Sequence, residues 1–143
     1  MGPIRRLHHA QITIPHGAEA AGKAFYCGLL GLPEVDKPES LRGRGGFWLQ
    51  VGPQQVHVGT EEGVGRANSK AHLAYEVDDV HEWERRLRAH GVEIGDSVPI
   101  PGFARFEFRD PFGNRVELLS GSRRKYRQIL GVPASSGQGA SER

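Results

Sequence analysis

Polar and apolar residues alternate over residues 7–14. Ala10, Ile12 and Ile14 share one face, with His8 out of place among them, while His9, Gln11 and Thr13 share the other. A period of two predicts a strand with one packed face and one polar face. Over residues 18–30 the period changes. Ala21, Ala24, Phe25, Leu29 and Leu30 fall at helical spacing, and Gly31 can supply the stop. Residues 33–37, 46–51 and 54–60 then read as three short strands, the last two joined around Gly52 and Pro53.

The same order returns in the second half. Residues 71–77 alternate, with His72, Ala74 and Glu76 opposite Leu73, Tyr75 and Val77. Asp79 followed three residues later by Glu82 is a helix-start pattern. Val80, Trp83 and Leu87 form an apolar stripe ending at Gly91. Short strands follow at 92–95, 103–109 and 114–120, the last two separated by the turn residues Asp110 to Asn114. The pattern predicts an α+β fold of two tandem βαβββ modules, forming a cup-shaped mixed sheet with helices on the outer face. One domain spans residues 1–120, with module one at 7–60, a linker at 61–69 and module two at 70–120. Residues 121–143 read as a C-terminal basic segment, with a short helix over 121–131, and a flexible tail rich in Ser, Gly and Ala.

The repeat carries metal-ligand residue types at matched places. His9 lies 63 residues before His72, and His57 lies 60 before Glu117. From Gly31 to His57, and from Gly91 to Glu117, the spacing is 26 residues in each case. The three-residue difference therefore falls before the glycine, where a helix or its loop absorbs it. Each ligand candidate shares a strand face with polar or small neighbours: Gln11 and Thr13 beside His9, Gln55 beside His57, Ala74 and Glu76 beside His72, Arg115 beside Glu117. A solvated sheet face tolerates His or Glu at no cost, so any one of these residues alone says little. Their equivalent repeat positions say more: three histidines and one carboxylate on a polar face suit a divalent metal.

Composition narrows the classes. Hydrophobic residues make up 37% and charged residues 25% of the chain, which fits a globular protein. The formal charge of +2 is weak, and its Lys and Arg are interleaved with Asp and Glu, so no nucleic-acid partner is expected. The exception is the run Arg123-Arg124-Lys125-Tyr126-Arg127. No apolar run approaches the ~20 residues that span a membrane, so no membrane partner is expected. A lone cysteine, Cys27, excludes an internal disulfide, and with no export signal in sight the expected compartment is the cytoplasm.

Four strings carry a resemblance to a known family. They are Leu-His-His-Ala-Gln-Ile-Thr-Ile at 7–14, Phe-Tyr at 25–26 with Leu-Leu-Gly-Leu at 29–32, Ala-His-Leu-Ala-Tyr-Glu-Val-Asp-Asp-Val at 71–80, and Asp-Pro-Phe-Gly-Asn-Arg-Val-Glu-Leu at 110–118. With the doubled βαβββ order, the chain resembles the vicinal oxygen chelate superfamily, which includes glyoxalase I, extradiol dioxygenases, fosfomycin-resistance proteins and bleomycin-binding proteins. The resemblance implies metal ligands at His9, His57, His72 and Glu117, catalytic roles for Glu117 and His57, and a divalent ion such as Zn, Ni, Co, Mn or Fe. The chain has His57 where glyoxalase I usually has a carboxylate, and Gln11 where the fosfomycin-resistance pattern has a threonine.

The expected function is a metal-dependent isomerase or lyase of the glyoxalase type. Its ion would chelate two adjacent oxygens of a small, anionic substrate and act as a Lewis acid. Glu117, His57 or Glu107 would move the proton. Arg115, Gln11 and Gln55 are the candidate substrate-binding residues. Two alternatives stay open: an extradiol-type Fe(II) or Mn(II) dioxygenase, built on His9, His72 and Glu117, and a metal-free small-molecule binding or resistance protein. A homodimer is expected, because the cup leaves sheet edges to cover and because related chains of this size commonly pair.

Overall fold

A computed structural model describes residues 1–121 of the chain. The expected basic helix and tail fall almost wholly outside that range. The first repeat comprises β1 (His9–Ile14), α1 (Glu19–Lys23), β2 (Glu34–Val35), β3 (Phe47–Val51) and β4 (Gln54–Thr60). The second comprises β5 (His72–Glu76), α2 (Val80–Ala89), β6 (Ile94–Gly95), β7 (Phe103–Arg109) and β8 (Arg115–Gly121). Two tandem βαβββ units are therefore present, as the alternation predicts. Their strands form two four-stranded mixed sheets, ordered β1-β4-β3-β2 and β5-β8-β7-β6. In each, the first strand runs parallel to the last and the other pairs are antiparallel.

Helix α2 begins as its sequence signals. The Asp79 carboxylate accepts from the backbone N–H groups of His81 and Glu82 at 3.0 and 3.1 Å, satisfying two otherwise orphaned donors. Helix α1 departs from expectation. Its α-helical part is short, and residues Ala24–Leu29 continue as π-helix, with the Leu30 N–H donating to the Phe25 carbonyl. The wider turn lets two consecutive aromatic residues, Phe25 and Tyr26, both be buried. Between β2 and β3 the chain adds a 3₁₀ turn over Glu39–Arg44, and the linker contains another at Arg66–Asn68.

One buried cluster unites the two repeats. It takes Ile14, Phe47, Leu49, Val56 and Val58 from the first sheet, and Phe106, Phe108, Val116 and Leu118 from the second. Phe25, Tyr26, Val80 and Leu87 of the helical segments complete it. The helices thus cover the apolar sheet faces, opposite the histidine-bearing faces. The first helix also reaches the second sheet. Phe25 packs on Phe108 with ring centroids 6.2 Å apart, and the Tyr26 hydroxyl donates to Asp110 Oδ2 at 2.6 Å. Burial and the Asp110 carboxylate push the Tyr26 phenol far above its ordinary pKa, so it remains a donor.

Gly46 fixes how β3 meets β4. Its φ is +78°, and a Cβ there would sit 2.1 Å from the Val58 carbonyl oxygen. Backbone cannot yield as a side-chain tip can, and the left-handed conformation adds its own cost. Gly46→Ala is expected to destabilise the fold by about 2–4 kcal/mol, read as a lowered urea midpoint. An unchanged midpoint would show that β3 re-registers without loss.

Candidate functional site

The polar face of the first sheet gathers His9, Gln11, Trp48, Gln55 and His57. Pairing explains it: Gln11 and Trp48 are the Cα partners of His57 on either side, and Gln55 is the partner of His9. The His57 ring lies between two others. It stacks on Trp48 at 3.8 Å between centroids and 1° between planes, and on His9 at 4.2 Å and 18°. His57 is buried, and its Nε2 lies 3.0 Å from Gln55 Oε1. Desolvation, then the neighbouring His9 and His8, push its pKa below the ordinary imidazole value, favouring the neutral ring that a metal requires. His8, the rival to His9, sits beside it with the two Nδ1 atoms 3.0 Å apart.

The second sheet presents a denser cluster. His72 and Glu117 lie on adjacent parallel strands, and Glu107 is the Cα partner of Glu117 across the antiparallel pair. His72 Nδ1 lies 2.9 Å from the Lys70 carbonyl oxygen, so Nδ1–H is the donor there and Nε2 is the ring nitrogen turned to the cluster. That Nε2 is 3.3 Å from Glu117 Oε2. Arg105 Nη1 donates to Glu117 Oε1 and, at 3.1 Å, to Glu107 Oε1. Arg115 Nη2 also donates to Glu107. Hydrogen bonds from Arg115 first, then Arg105, hold the Glu107 carboxyl below the usual range despite its burial. Glu107 is thus a firmly ionised carboxylate and a weak proton acceptor, which counts against it as the catalytic base.

The four predicted ligands fall into two groups, one on each sheet. Among the described residues, His72, Glu107 and Glu117 form the cluster whose donor atoms all lie within 4.8 Å of one another. His9 and His57 stack together but stand outside that cluster. Of the expected substrate-binding residues, Gln55 is engaged by His57 and Arg115 by Glu107. Gln11 lines a hollow of about 270 Å³ with His72 and Arg115. Glu107 was legible only as a base; alternation gives its face, with Arg105, Glu107 and Arg109 opposite Phe106 and Phe108, and the β7–β8 register sets it beside Glu117. The carboxylate-holding role of Arg105 and the Trp48 stack carried no sequence signal, because both depend on cross-strand register.

The donor set fits a divalent ion. Two ligands at about 2.1 Å from a common ion in tetrahedral or octahedral geometry stand roughly 3.0–3.4 Å apart, and His72 Nε2 and Glu117 Oε2 are 3.3 Å apart. One neutral imidazole with one or two carboxylates is a common ligand chemistry for Zn, Mn and Fe(II). Such an ion would supply Lewis-acid polarisation of bound substrate oxygens.

The chain matches the Glyoxalase/Bleomycin resistance protein/Dioxygenase superfamily over residues 6–118, and it belongs to that family. Within it, a solved structure of a protein from Bacillus anthracis, described as belonging to the glyoxalase family, is 36% identical. That structure superposes with a TM-score of 0.78 over 85% of this chain and 99% of its own. The FosX fosfomycin resistance protein of Listeria monocytogenes, solved with Mn(II) and sulfate, shares the fold at 17% identity. Its TM-score is 0.71, over 90% of this chain and 99% of its own. Lactoylglutathione lyase from Agrobacterium tumefaciens does so at 23% identity and TM-score 0.65, over 84% and 96%. No curated protein matches the chain by sequence. Among the described residues, no helix is long and apolar enough to cross a membrane.

Proposed function

We propose that this protein is a divalent-metal-dependent enzyme of the glyoxalase type, an isomerase or lyase acting on a small, oxygenated, anionic substrate. The observation that carries the reading is the 3.3 Å approach of His72 Nε2 to Glu117 Oε2, with the histidine's other nitrogen tied to a carbonyl. An imidazole oriented in this way presents its lone pair toward a shared ion. Glu117 and His57 are the residues proposed to move the proton. The FosX neighbour solved with Mn(II) supports the class, and the substrate follows only from the chemistry of the face.

The ligand set is proposed to be completed across a homodimer. Within one chain, the π-helical segment after α1 packs Phe25 and Tyr26 against the second sheet, so the apolar faces of both sheets meet in one core and their ligand-bearing faces lie away from it. The edge strands β1 and β5 carry His9 and His72 and, among the described residues, have one side each unpaired with another strand. A two-fold pairing would bring His9 and His57 of the partner subunit to His72 and Glu117, making two equivalent sites and covering the edges. Light scattering at micromolar concentration should give the mass of a dimer; a monomer that binds metal tightly and turns over would sink the shared site.

One observation favours a second reading. The His57 ring is stacked on both faces and its Nε2 faces Gln55, which leaves His9, His72 and Glu117 as a two-histidine, one-carboxylate set. That set suits Fe(II) or Mn(II) with open positions for substrate and oxygen, as in an extradiol-type dioxygenase. Metal analysis of anaerobically purified protein separates the readings. Zinc, nickel, cobalt or manganese with oxygen-independent turnover supports the isomerase or lyase. Iron with oxygen-dependent ring cleavage supports the dioxygenase. Absence of metal, with no metal uptake on titration, overturns both in favour of a small-molecule binding protein.

A further inference from the structure

Arg66 is a buried cation with no counter-ion among the described residues. It opens the 3₁₀ turn of the linker and is 8% exposed, yet among the described residues it pairs with no carboxylate. Its Nε donates to Thr13 Oγ1 at 3.2 Å and its Nη2 to the Glu61 carbonyl at 2.6 Å, both neutral acceptors. Among the described residues its Nη1 has no hydrogen-bond partner, and it is not sealed from solvent. A guanidinium largely withdrawn from water without an anion loses hydration that neutral oxygens restore only in part.

The surroundings of Arg66 point the same way. It lines the 270 Å³ hollow between the edge strands β1 and β5, beside Gln11, Thr13, Ser69, His72, Asn114 and Arg115. No Asp or Glu lines that hollow. Arg115, on the same wall, already donates to Glu107, so Arg66 is the cation of the hollow left without a carboxylate among the described residues. Arg66, a hydroxyl and side-chain amides thus line one cavity with room for a small oxyanion. His72, the histidine whose Nε2 faces Glu117, opens onto the same cavity.

We infer that the hollow between β1 and β5 is an oxyanion subsite built on Arg66, which receives a carboxylate- or phosphate-type group of the substrate beside His72. Assigning the anion to the substrate rests on the proposed metal-dependent function; the subsite itself does not. A planar guanidinium offers paired donors that match two oxygens of either group. Thr13 and the Glu61 carbonyl hold Arg66 in place, so its rotamer is set before the anion arrives.

The test uses the full-length protein after metal removal with EDTA, so that an added anion cannot bind through an ion, and is repeated on the protein as purified. Inorganic phosphate and, separately, acetate are titrated at constant ionic strength in chloride, with binding followed by calorimetry and by amide shifts. Saturable binding of either anion, with shifts centred on residues 11, 13, 66, 69 and 114, is expected. Acetate or phosphate preference tells which group the site takes. Arg66→Gln should weaken binding by at least about tenfold. Should that variant fail to fold, Gln11→Glu decides, because it places an internal carboxylate on the hollow's rim and should abolish binding in a folded chain. No saturable binding of either anion, or unchanged binding in a folded Arg66→Gln or Gln11→Glu variant, overturns the subsite. A separate metal titration reports on the metal-dependent reading, so the two can fail independently.

Discussion

Glu117→Gln should lower divalent-metal affinity by more than about 100-fold and abolish metal-dependent turnover. Altering a group that merely orients a ligand typically costs 10–100-fold, and here the anionic oxygen facing His72 would itself be replaced. The structure adds a consequence for stability. Glu117 is buried and holds Arg105 as well as facing His72, so the swap is felt by the fold. Glu107 still accepts from Arg105, and the Gln amide oxygen can replace one acceptor, so the loss should be modest, about 1–2 kcal/mol. Metal titration by calorimetry, paired with thermal unfolding of the metal-free chain, separates the two effects. Full metal affinity and turnover in the variant would make Glu117 a structural partner of Arg105, and the glyoxalase-type reading would lose its central residue.

The second large effect is expected away from that face, at Asp110. This carboxylate is 4% exposed and accepts four hydrogen bonds. They come from the Tyr26 hydroxyl at 2.6 Å, the backbone N–H groups of Phe112 and Asn114 at 2.9 Å each, and the Asn114 amide at 2.8 Å. Asp110→Ala would orphan three donors, two of them backbone N–H groups of the turn before β8 and one the Tyr26 hydroxyl that ties the π-helical segment to the second sheet, while the Asn114 amide keeps the Thr13 carbonyl. Each buried orphan costs about 1–3 kcal/mol, so a total near 4–5 kcal/mol and a fall in Tm of roughly 10–20 °C are expected. Tyr26→Phe should cost less, about 1.5–3 kcal/mol, since the ring stays packed on Phe25. A double-mutant cycle should return a coupling of about 1–3 kcal/mol between the two. Strict additivity would mean that the contact between the repeats contributes nothing through this bond.

Much of the fold was legible from the chain because its signals are local. Alternation set the strand faces: His9 and Gln11 opposite Ile12 and Ile14, and His72 and Ala74 opposite Leu73 and Tyr75. The cap at Asp79 and the stop at Gly91 set α2 to within a residue or two. The π-helical turn after Lys23 was not legible. An apolar stripe at helical spacing suits either winding, and what selects the wider one is where Phe25 and Tyr26 must land on the second sheet.

The candidate site divides along the same line. By itself the sequence determined which residue types occupy equivalent places in the two repeats and which face of each strand they take, because a period of two leaves only two faces. It also determined that His72 and Glu117 could meet, since the βαβββ order makes the first and last strands of each unit neighbours. Tertiary structure alone decided that His9 and His57 stack on one sheet while His72, Glu107 and Glu117 gather on the other. It also decided that Arg105 and Arg115 are taken up by carboxylates while Arg66, in what read as an ordinary polar linker, is left buried without one among the described residues. The physical reason is range. Face and turn depend on neighbours a few residues away, whereas the docking of one repeat on the other depends on contacts such as Tyr26 with Asp110, 84 residues apart.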